Sequence, residues 1–460
     1  MKCGSEEWLD RLVRNIEERG GNIHFVGIGG VSMYSLARLC LSRGITVTGS
    51  DREESNRTGE LRLLGASVFI GHSAVNVREA SLVVYTHAID KANPELCAAL
   101  DKEIPTVSRS AFLGALMMGY KNRIGVSGSH GKSTTVAMLD CIFSHAGCNP
   151  TTLSGADLPI GEPVRLGGSS LLIYEACEYK DSFLDFSPTI AVALNLELDH
   201  TDYFSDIDAL KSSFASALGR ASRRVIISGD DGNLREVAES LRKPPVSFGG
   251  TDQNEYTYSI TSFKPQGYEF DLCRFGSRLG SFELNIPGEF NVHNATAAII
   301  AALEYGIDVE TVAEAIASFK GIPRRLEYIG SRFGRKIYYD YAHHPTEISA
   351  TIGALKMLTG TQITVIFKPH TYSRTKSLWR EFASSLSLAD HIVLSDIFPA
   401  RESEIPGVSS SRLAAFIGSK AKYLPDSKII EYIDLCTKGT ILLMGAGDLE
   451  NIKKDIKRTE

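Results

Sequence analysis

The stretch GVSGSHGKSTTVAML, residues 125–139, decides the reading of the middle of this chain. An apolar run enters it, glycines follow, and Val136, Leu139, Ile142 and Phe143 then repeat at helical spacing. Strand, glycine turn and helix in that order predict a βα unit able to hold a phosphate. Glycines let backbone amides approach the anion, and the helix adds its positive N-terminal end. Lys132 can reach terminal phosphate oxygens as a point charge, and Ser133 can offer a hydroxyl to Mg2+. The spelling departs from the Walker pattern, which places a glycine five residues before the Gly of the Gly-Lys pair. That position is Val126, and the nearest upstream glycine is Gly128. A plain βα turn with an exposed lysine competes with the phosphate reading.

Downstream, two buried-type strands end in polar groups. SLLIYEACE ends in Glu175 and Glu178, and TIAVALNLELDH ends in Asp199 and His200. Carboxylates at strand C-termini face the crevice that a phosphate loop faces, and Mg2+ takes oxygen ligands. Singly, each is a solvated loop charge. Together, beside a Lys-Ser loop, they point to a metal–phosphate site.

Upstream, NIHFVGIGGVSMYSLARLCLSRGITVTGSD predicts a strand from Ile23 to Val26, a glycine turn, a helix, and a second strand ending at Asp51. Gly27, Gly29 and Gly30 are present, but Ser32 stands where a dinucleotide fingerprint takes Gly or Ala. Asp51 lies at the distance expected of a ribose-binding acid. NAD and a nucleoside diphosphate both suit this turn. Between residues 255 and 287 the pattern changes to alternation, predicting an antiparallel patch, and an Ala-rich helix follows. A third unit begins near GRKIYYDYAHHPTEI, with a strand from Ile337 to Asp340 and Pro345 in the first turn of the next helix. Tyr341, His343 and His344 cluster there, and His370, Arg374 and Lys376 follow the next strand. Arg374 suits a carboxylate, which its planar fork binds bidentately.

The chain has 460 residues, enough for two to four domains. The expected class is α/β in three domains. They are a Rossmann-like N-terminal domain (1–120), a central P-loop domain with the antiparallel patch (121–325), and a Rossmann-like C-terminal domain (326–460). Lys and Arg total 49 against 55 Asp and Glu. That balance argues against nucleic acid as a partner. No apolar run approaches the roughly 20 residues that span a bilayer. Near the N-terminus, Trp8, Leu9, Leu12, Val13 and Ile16 give helical spacing with acids where a signal peptide needs an apolar core. The eight cysteines include no C-x-x-C pair, so reduced thiols and a cytoplasmic location are expected.

HFVGIGG, GSHGKSTT, EACEYKDSFL, NLELDHTDYF, GEFNVHNATAA, YDYAHHPTEI, FKPHTYSRTK and LLMGAGD occur in an order and spacing that resemble the Mur ligases, over about residues 21 to 450. The short loop G-[TS]-x-G-K-[TS] is normal for that family. The resemblance implies an ATP- and Mg2+-dependent ligase of peptidoglycan precursor synthesis, hence of cell wall biogenesis, cell shape and division. It implies L-alanine joined to the lactyl carboxylate of UDP-N-acetylmuramate through an acyl phosphate, in a site that domain closure keeps dry. The alternative within the family is a recycling ligase that adds a tripeptide to the same sugar nucleotide.

By the same resemblance Gly128, Ser129, His130, Gly131, Lys132, Ser133 and Thr134 hold the ATP phosphates. Ser133 holds one Mg2+ and Glu175 and His200 hold a second, Asn294 and Asp340 lie near the adenosine, and Arg325 faces the phosphates. Gly27, Gly29, Gly30, Asp51 and His72 take the UDP moiety. Tyr341, His343, His344, His370 and Arg374 surround the amino acid. Lys132, His200, His343 and Arg374 carry the chemistry, with His200 or a third-domain histidine a candidate amine base. A monomer or homodimer is expected. Ser32, His87, Phe290, Lys368 and Thr371 depart from the family's commonest residues.

Overall fold

In the computed structural model, the described residues are 6–200, 203–264, 266–400, 402–435, 439–447, 449, 452–453 and 456. Asp448, the last residue of LLMGAGD, lies outside them. The chain forms two compact units. One runs through Thr257 and includes Ala297–Ala315; the other comprises Tyr258–Thr296 and the chain from Ile316 onward.

The first unit opens with helix α1 (Glu6–Arg19), whose Leu9, Val13 and Ile16 are buried in the core. Strands β1 (Asn22–Val26), β2 (Thr46–Asp51), β3 (Ser67–Ile70), β4 (Leu82–Tyr85) and β5 (Thr106–Ser108) form a parallel sheet in the order β3-β2-β1-β4-β5. The order reverses at β1, so a crevice opens beyond its C-terminal end. There the chain turns through Gly27 (φ 84°) into helix α2 (Val31–Ser42). Helices α3 (Asn56–Leu63), α4 (Pro94–Asp101) and α5 (Arg109–Met117) complete this layer.

Strands β6 (Asn122–Ser127), β7 (Thr151–Leu153), β8 (Val164–Arg165), β9 (Leu171–Glu175), β10 (Ile190–Ala193), β11 (Arg224–Ser228) and β12 (Val246–Gly249) lie in the order β12-β11-β10-β6-β9-β7-β8. All neighbouring pairs are parallel except β7–β8. β6 is buried and feeds helix α6 (Lys132–His145), whose Val136, Leu139, Ile142 and Phe143 are fully buried. β6 is flanked by β9 on one side and β10 on the other. Val126 is in register with Glu175, and Ser127 with Ala193. This strand order is what brings three distant sequence segments to one sheet edge.

In the second unit, β13 (Tyr256–Lys264), of which the first two residues belong to the first unit, precedes β14 (Gly267–Arg274) and β15 (Ser277–Leu284). β14 and β15 pair antiparallel, the patch the alternation predicts. A six-stranded sheet follows in the order β16-β17-β21-β18-β19-β20. Its strands are β16 (Glu327–Arg332), β17 (Arg335–Asp340), β18 (Ile363–Lys368), β19 (His391–Leu394), β20 (Ala421–Tyr423) and β21 (Thr440–Gly445). It is parallel except for the β16–β17 pair. Its core joins Ile337, Tyr339, Ile366, Val393 and Leu443 on one face with Val365, Phe367, Leu394 and Leu442 on the other. Burial on both faces explains why these strands read as continuous apolar runs.

Candidate active site

The loop between β6 and α6 is built for an anion. Gly128 has φ 136° and Gly131 has φ 85°, values that side-chain-bearing residues rarely adopt. A Cβ on Gly128 would meet the Asn195 backbone nitrogen at 3.2 Å. Segment 195–197, just past β10, clamps the loop from one side. The Ser129 hydroxyl donates to the Glu197 carbonyl (2.9 Å) and accepts from the Glu197 N–H (2.9 Å). The His130 N–H donates to Asn195 Oδ1 (2.8 Å), and Asn195 Nδ2 returns a bond to the His130 carbonyl (3.1 Å). His130 Nε2 lies 3.2 Å from Glu197 Oε2.

The clamp divides the predicted phosphate set. The backbone N–H groups of Ser129 and His130 are spent on Asn195. Those of Gly131, Lys132, Ser133 and Thr134 take no hydrogen bond among the described residues. Gly131 supplies no side-chain cap to α6. Four donors and the positive helix end therefore converge on one spot.

Lys132 folds over this spot. Its Nζ donates to the Gly128 carbonyl and to both Glu178 oxygens, at 3.3 and 3.2 Å. Burial disfavours the charge, but Glu178, then Cys177 and Glu175, hold the lysine pKa above its usual value. Glu178 is 3% exposed and lies 3.8 Å from His200 Nε2. His200, at φ 54°, stacks obliquely on Tyr179 at 4.6 Å and donates its N–H to Asp199 Oδ1 at 2.7 Å. Glu175 is held by Gly155 N–H (2.5 Å) and the Ser154 hydroxyl (3.1 Å). Thus Lys132, Ser133, Glu175, Glu178 and His200 occupy adjoining strand ends. The group that joins lysine to histidine is Glu178, which the sequence reading noted as a strand-end charge but left out of the ligand set. Arg109, at the start of α5, adds a further cation: burial lowers its pKa, opposed by Cys177, Glu175 and Asp185.

The first glycine turn shows a similar division. Gly27 and Ile28 donate to the Ser50 carbonyl (2.8 and 2.9 Å), Gly30 to Gly27, and Gly29 to Asp51 Oδ2 (2.9 Å). Any side chain at Gly29 would press on that carboxylate. The three glycines shape the turn, while the N–H groups of Val31, Ser32 and Met33 take no hydrogen bond among the described residues. Asp51 is pinned through Gly29 and Arg52 N–H, and His72 lies beside it on Ser50.

In the second unit, His344 is the N-cap of helix Pro345–Thr359. Its ring nitrogen accepts from Thr346 N–H, and Glu347 reaches back to the N–H groups of His343 and His344. His344 is 6% exposed, so its visible work is capping. His343 packs on Tyr341 and His370 at ring distances of 5.5 and 5.8 Å, and the Arg374 guanidinium lies 3.1 Å from His370 Nδ1. Arg325 stands over the Tyr341 ring and 3.8 Å from Glu347. Asp340 is buried and accepts from Leu326 N–H (2.6 Å) and Ala342 N–H (2.7 Å). Burial pushes its pKa up to about 6, against Arg325 and those two bonds. Asp340 therefore fastens the turn that carries Arg325. Asn294 is buried in helix Phe290–Tyr305 with its amide on Asn291.

A compact G-x-x-G-K-S loop, acidic neighbours on flanking strands, and three α/β domains in series define a class of ATP-using ligases. Three family descriptions match the chain in order: "Mur ligase family, catalytic domain" at residues 22–121, "Mur ligase middle domain" at 126–302 and "Mur ligase, glutamate ligase domain" at 324–447. The chain belongs to the Mur ligase family. It is 40% identical to the UDP-N-acetylmuramate–L-alanine ligase of Alkaliphilus metalliredigens, over 93% of this chain and 95% of that one. It is 41% identical to the enzyme of the same name from Clostridium kluyveri, over 93% and 96%. Among solved structures it resembles the UDP-N-acetylmuramate-alanine ligase of Thermotoga maritima, with a TM-score of 0.82 and 28% identity over 95% of this chain and 99% of that one. A murein peptide ligase from Psychrobacter arcticus gives 0.73 and 25%, over 96% and 98%.

Proposed function

We propose that this protein uses ATP to join L-alanine to the lactyl carboxylate of UDP-N-acetylmuramate, in peptidoglycan precursor synthesis. The observation that carries the proposal is the Lys132–Glu178–His200 chain beside the four unspent N–H groups of the P-loop, in a chain about 40% identical to ligases of that name. The tripeptide-adding alternative is not favoured, because the relatives at about 40% identity carry the alanine-ligase name, whereas the murein peptide ligase is 25% identical.

The residue roles follow from charge. A lactyl carboxylate oxygen attacks the γ-phosphorus, the bond to the β-γ bridging oxygen breaks, and ADP leaves. Two anions must meet, so a cation at the transferred group is required. Lys132 supplies it, exchanging its Gly128 and Glu178 contacts for phosphate oxygens. The N–H groups of Gly131 to Thr134 hold the phosphates. Mg2+ takes hard oxygen donors and one or two carboxylates; the Ser133 hydroxyl suits one ion and the Glu175 carboxylate a second, to which His200 is also assigned. When bound, the ions would neutralise phosphate charge. Alanine's neutral amine then attacks the acyl carbon of the acyl phosphate and inorganic phosphate departs, the amine proton passing to His200 or to a histidine of the C-terminal domain. Arg374, fixed by His370, is assigned the alanine carboxylate, with Tyr341, His343 and His344 around it. Asn294 and Asp340 are assigned to the adenosine side and Arg325 to the phosphates. Val31 to Met33, with Asp51 and His72, are assigned the UDP moiety. We take 1–120, 121–325 and 326–460 as the functional domains and the cytoplasm as the location.

Phosphate release from purified protein tests this. Release is expected only when UDP-N-acetylmuramate, L-alanine, ATP and Mg2+ are all present, and chelation should stop it. Release that persists without the sugar nucleotide overturns the reading.

A further inference from the structure

Behind the first glycine turn lies a buried carboxylate that the assigned roles leave unused. Glu95, in the first turn of α4, is fully buried. Its Oε2 accepts from the Ser50 hydroxyl (2.6 Å) and lies 3.1 Å from His72 Nδ1. Its Oε1 accepts from Asn76 Nδ2 (2.6 Å) and Ser73 N–H (3.4 Å). His24 Nε2 stands 3.8 Å away. Ser50, Asn76 and Ser73 all donate to it. Burial pushes the Glu95 pKa up, but nearby His24 and the bonds from Ser50 and Asn76 outweigh it and hold the carboxyl at about 2.

An ionised carboxylate only accepts, so the His72 nitrogen facing it must carry the ring proton. Nδ1 is that nitrogen, and Ser50 Oγ beside it has already given its own proton to Glu95. In the tautomer with its single proton on Nδ1, Nε2 is a bare acceptor. It has no protein partner among the described residues, and the side chain is 15% exposed. Ser50 also holds the glycine turn through its carbonyl, so the same residue anchors both the turn and the dyad.

We propose that Glu95 is a positioning residue for nucleotide binding. By taking the Nδ1–H of His72 it fixes the ring and presents Nε2 as an acceptor to a hydroxyl or imide N–H of a bound pyrimidine nucleoside diphosphate. This rests on the reading that the glycine turn with Asp51 and His72 takes UDP.

The test is calorimetric titration of UDP into the full-length protein and its variants. Glu95→Gln places an amide NH2 against two donors in either orientation. It should weaken UDP binding about tenfold, the worth of one well-placed hydrogen bond. It should raise KM for the sugar nucleotide by a similar factor, with kcat at saturation and KM for ATP within about twofold of wild type. In a His72→Ala background, Glu95→Gln should weaken binding no further. Asn76→Ala, which removes a Glu95 contact without touching His72, should lower thermal stability and leave UDP affinity within about twofold. Nitrogen-15 spectra of the wild-type histidines should show the His72 proton on Nδ1, which needs no variant to fold. A proton on Nε2, wild-type affinity in Glu95→Gln, or an equal further loss in the His72→Ala background overturns the positioning role while UDP binding by the wild type stands. Failure of the wild type to bind UDP overturns the underlying reading, and the proposal with it.

Discussion

Replacing Lys132 with methionine removes the P-loop cation while keeping most of its apolar stem. The Lys132 and Glu178 side chains are 15% and 4% exposed, with 3.2 Å between charges. At an effective dielectric of about 20, that separation gives about 5 kcal/mol of attraction before desolvation is counted. Removing one partner of a buried pair costs about 3–5 kcal/mol, because the other charge is stranded. Glu178 keeps His200 at 3.8 Å, and the lysine end is partly open to water, so the lower end, about 3 kcal/mol, applies. The chain has two tryptophans. Trp8 packs on the core of the first unit and Trp379 on that of the second. In a Trp379→Phe background, urea unfolding followed by fluorescence therefore reports the first unit. A cycle of Lys132→Met, Glu178→Gln and the double variant should show the double losing less than the sum of the singles by at least about 1.5 kcal/mol. Turnover of Lys132→Met should fall at least about a thousandfold, roughly 4 kcal/mol of transition-state stabilisation. UDP-sugar affinity should stay within about threefold. Additive destabilisation together with turnover within tenfold of wild type would refute the reasoning.

Three further outcomes are expected. Gly128→Ala forces a side chain into φ 136° with its Cβ 3.2 Å from the Asn195 nitrogen, and should raise KM for ATP at least tenfold in a steady-state assay. Asp340 ionises less readily folded than unfolded, since its pKa rises from 3.8 to about 6. The contribution of Asp340 to the stability of the second unit should therefore be fullest below pH 4. It should decline by up to about 3 kcal/mol as pH rises through 6, and Asp340→Asn, compared by urea unfolding across that range, should lose this slope. Arg374→Ala should raise KM for L-alanine about ten- to a hundredfold with KM for ATP unchanged, and Arg374→Lys should rescue it poorly because a point charge does not replace the planar fork.

Local patterns carried the sheets and both glycine turns. Continuous apolar runs such as those of β6, β10 and β18 follow from burial on both faces, and the alternation of β14 follows from burial on one. Lys132 and Ser133 were readable because the turn chemistry sits within one short segment. Glu178 was visible as an acid, but its bond to Lys132 depends on β9 lying beside β6, which spacing alone does not give. The Asn195–Glu197 clamp depends in the same way on β10. Glu95 looked like an ordinary first-turn acid after Asn-Pro. Only the fold shows polar groups from β1, β2 and the segment after β3 closing around it. His344 is the opposite case: H-P-T-E, with Glu three residues after the cap, is a helix-start signal, and the structure gives the histidine that capping work.

The central claim concerns the amine that is joined. Purified protein supplied with UDP-N-acetylmuramate, ATP and Mg2+, and with equal amounts of L-alanine and the tripeptide in competition, should yield the alanyl sugar nucleotide, identified by mass spectrometry, with phosphate released in equal amount. A product carrying the tripeptide, with none carrying alanine alone, would contradict the account.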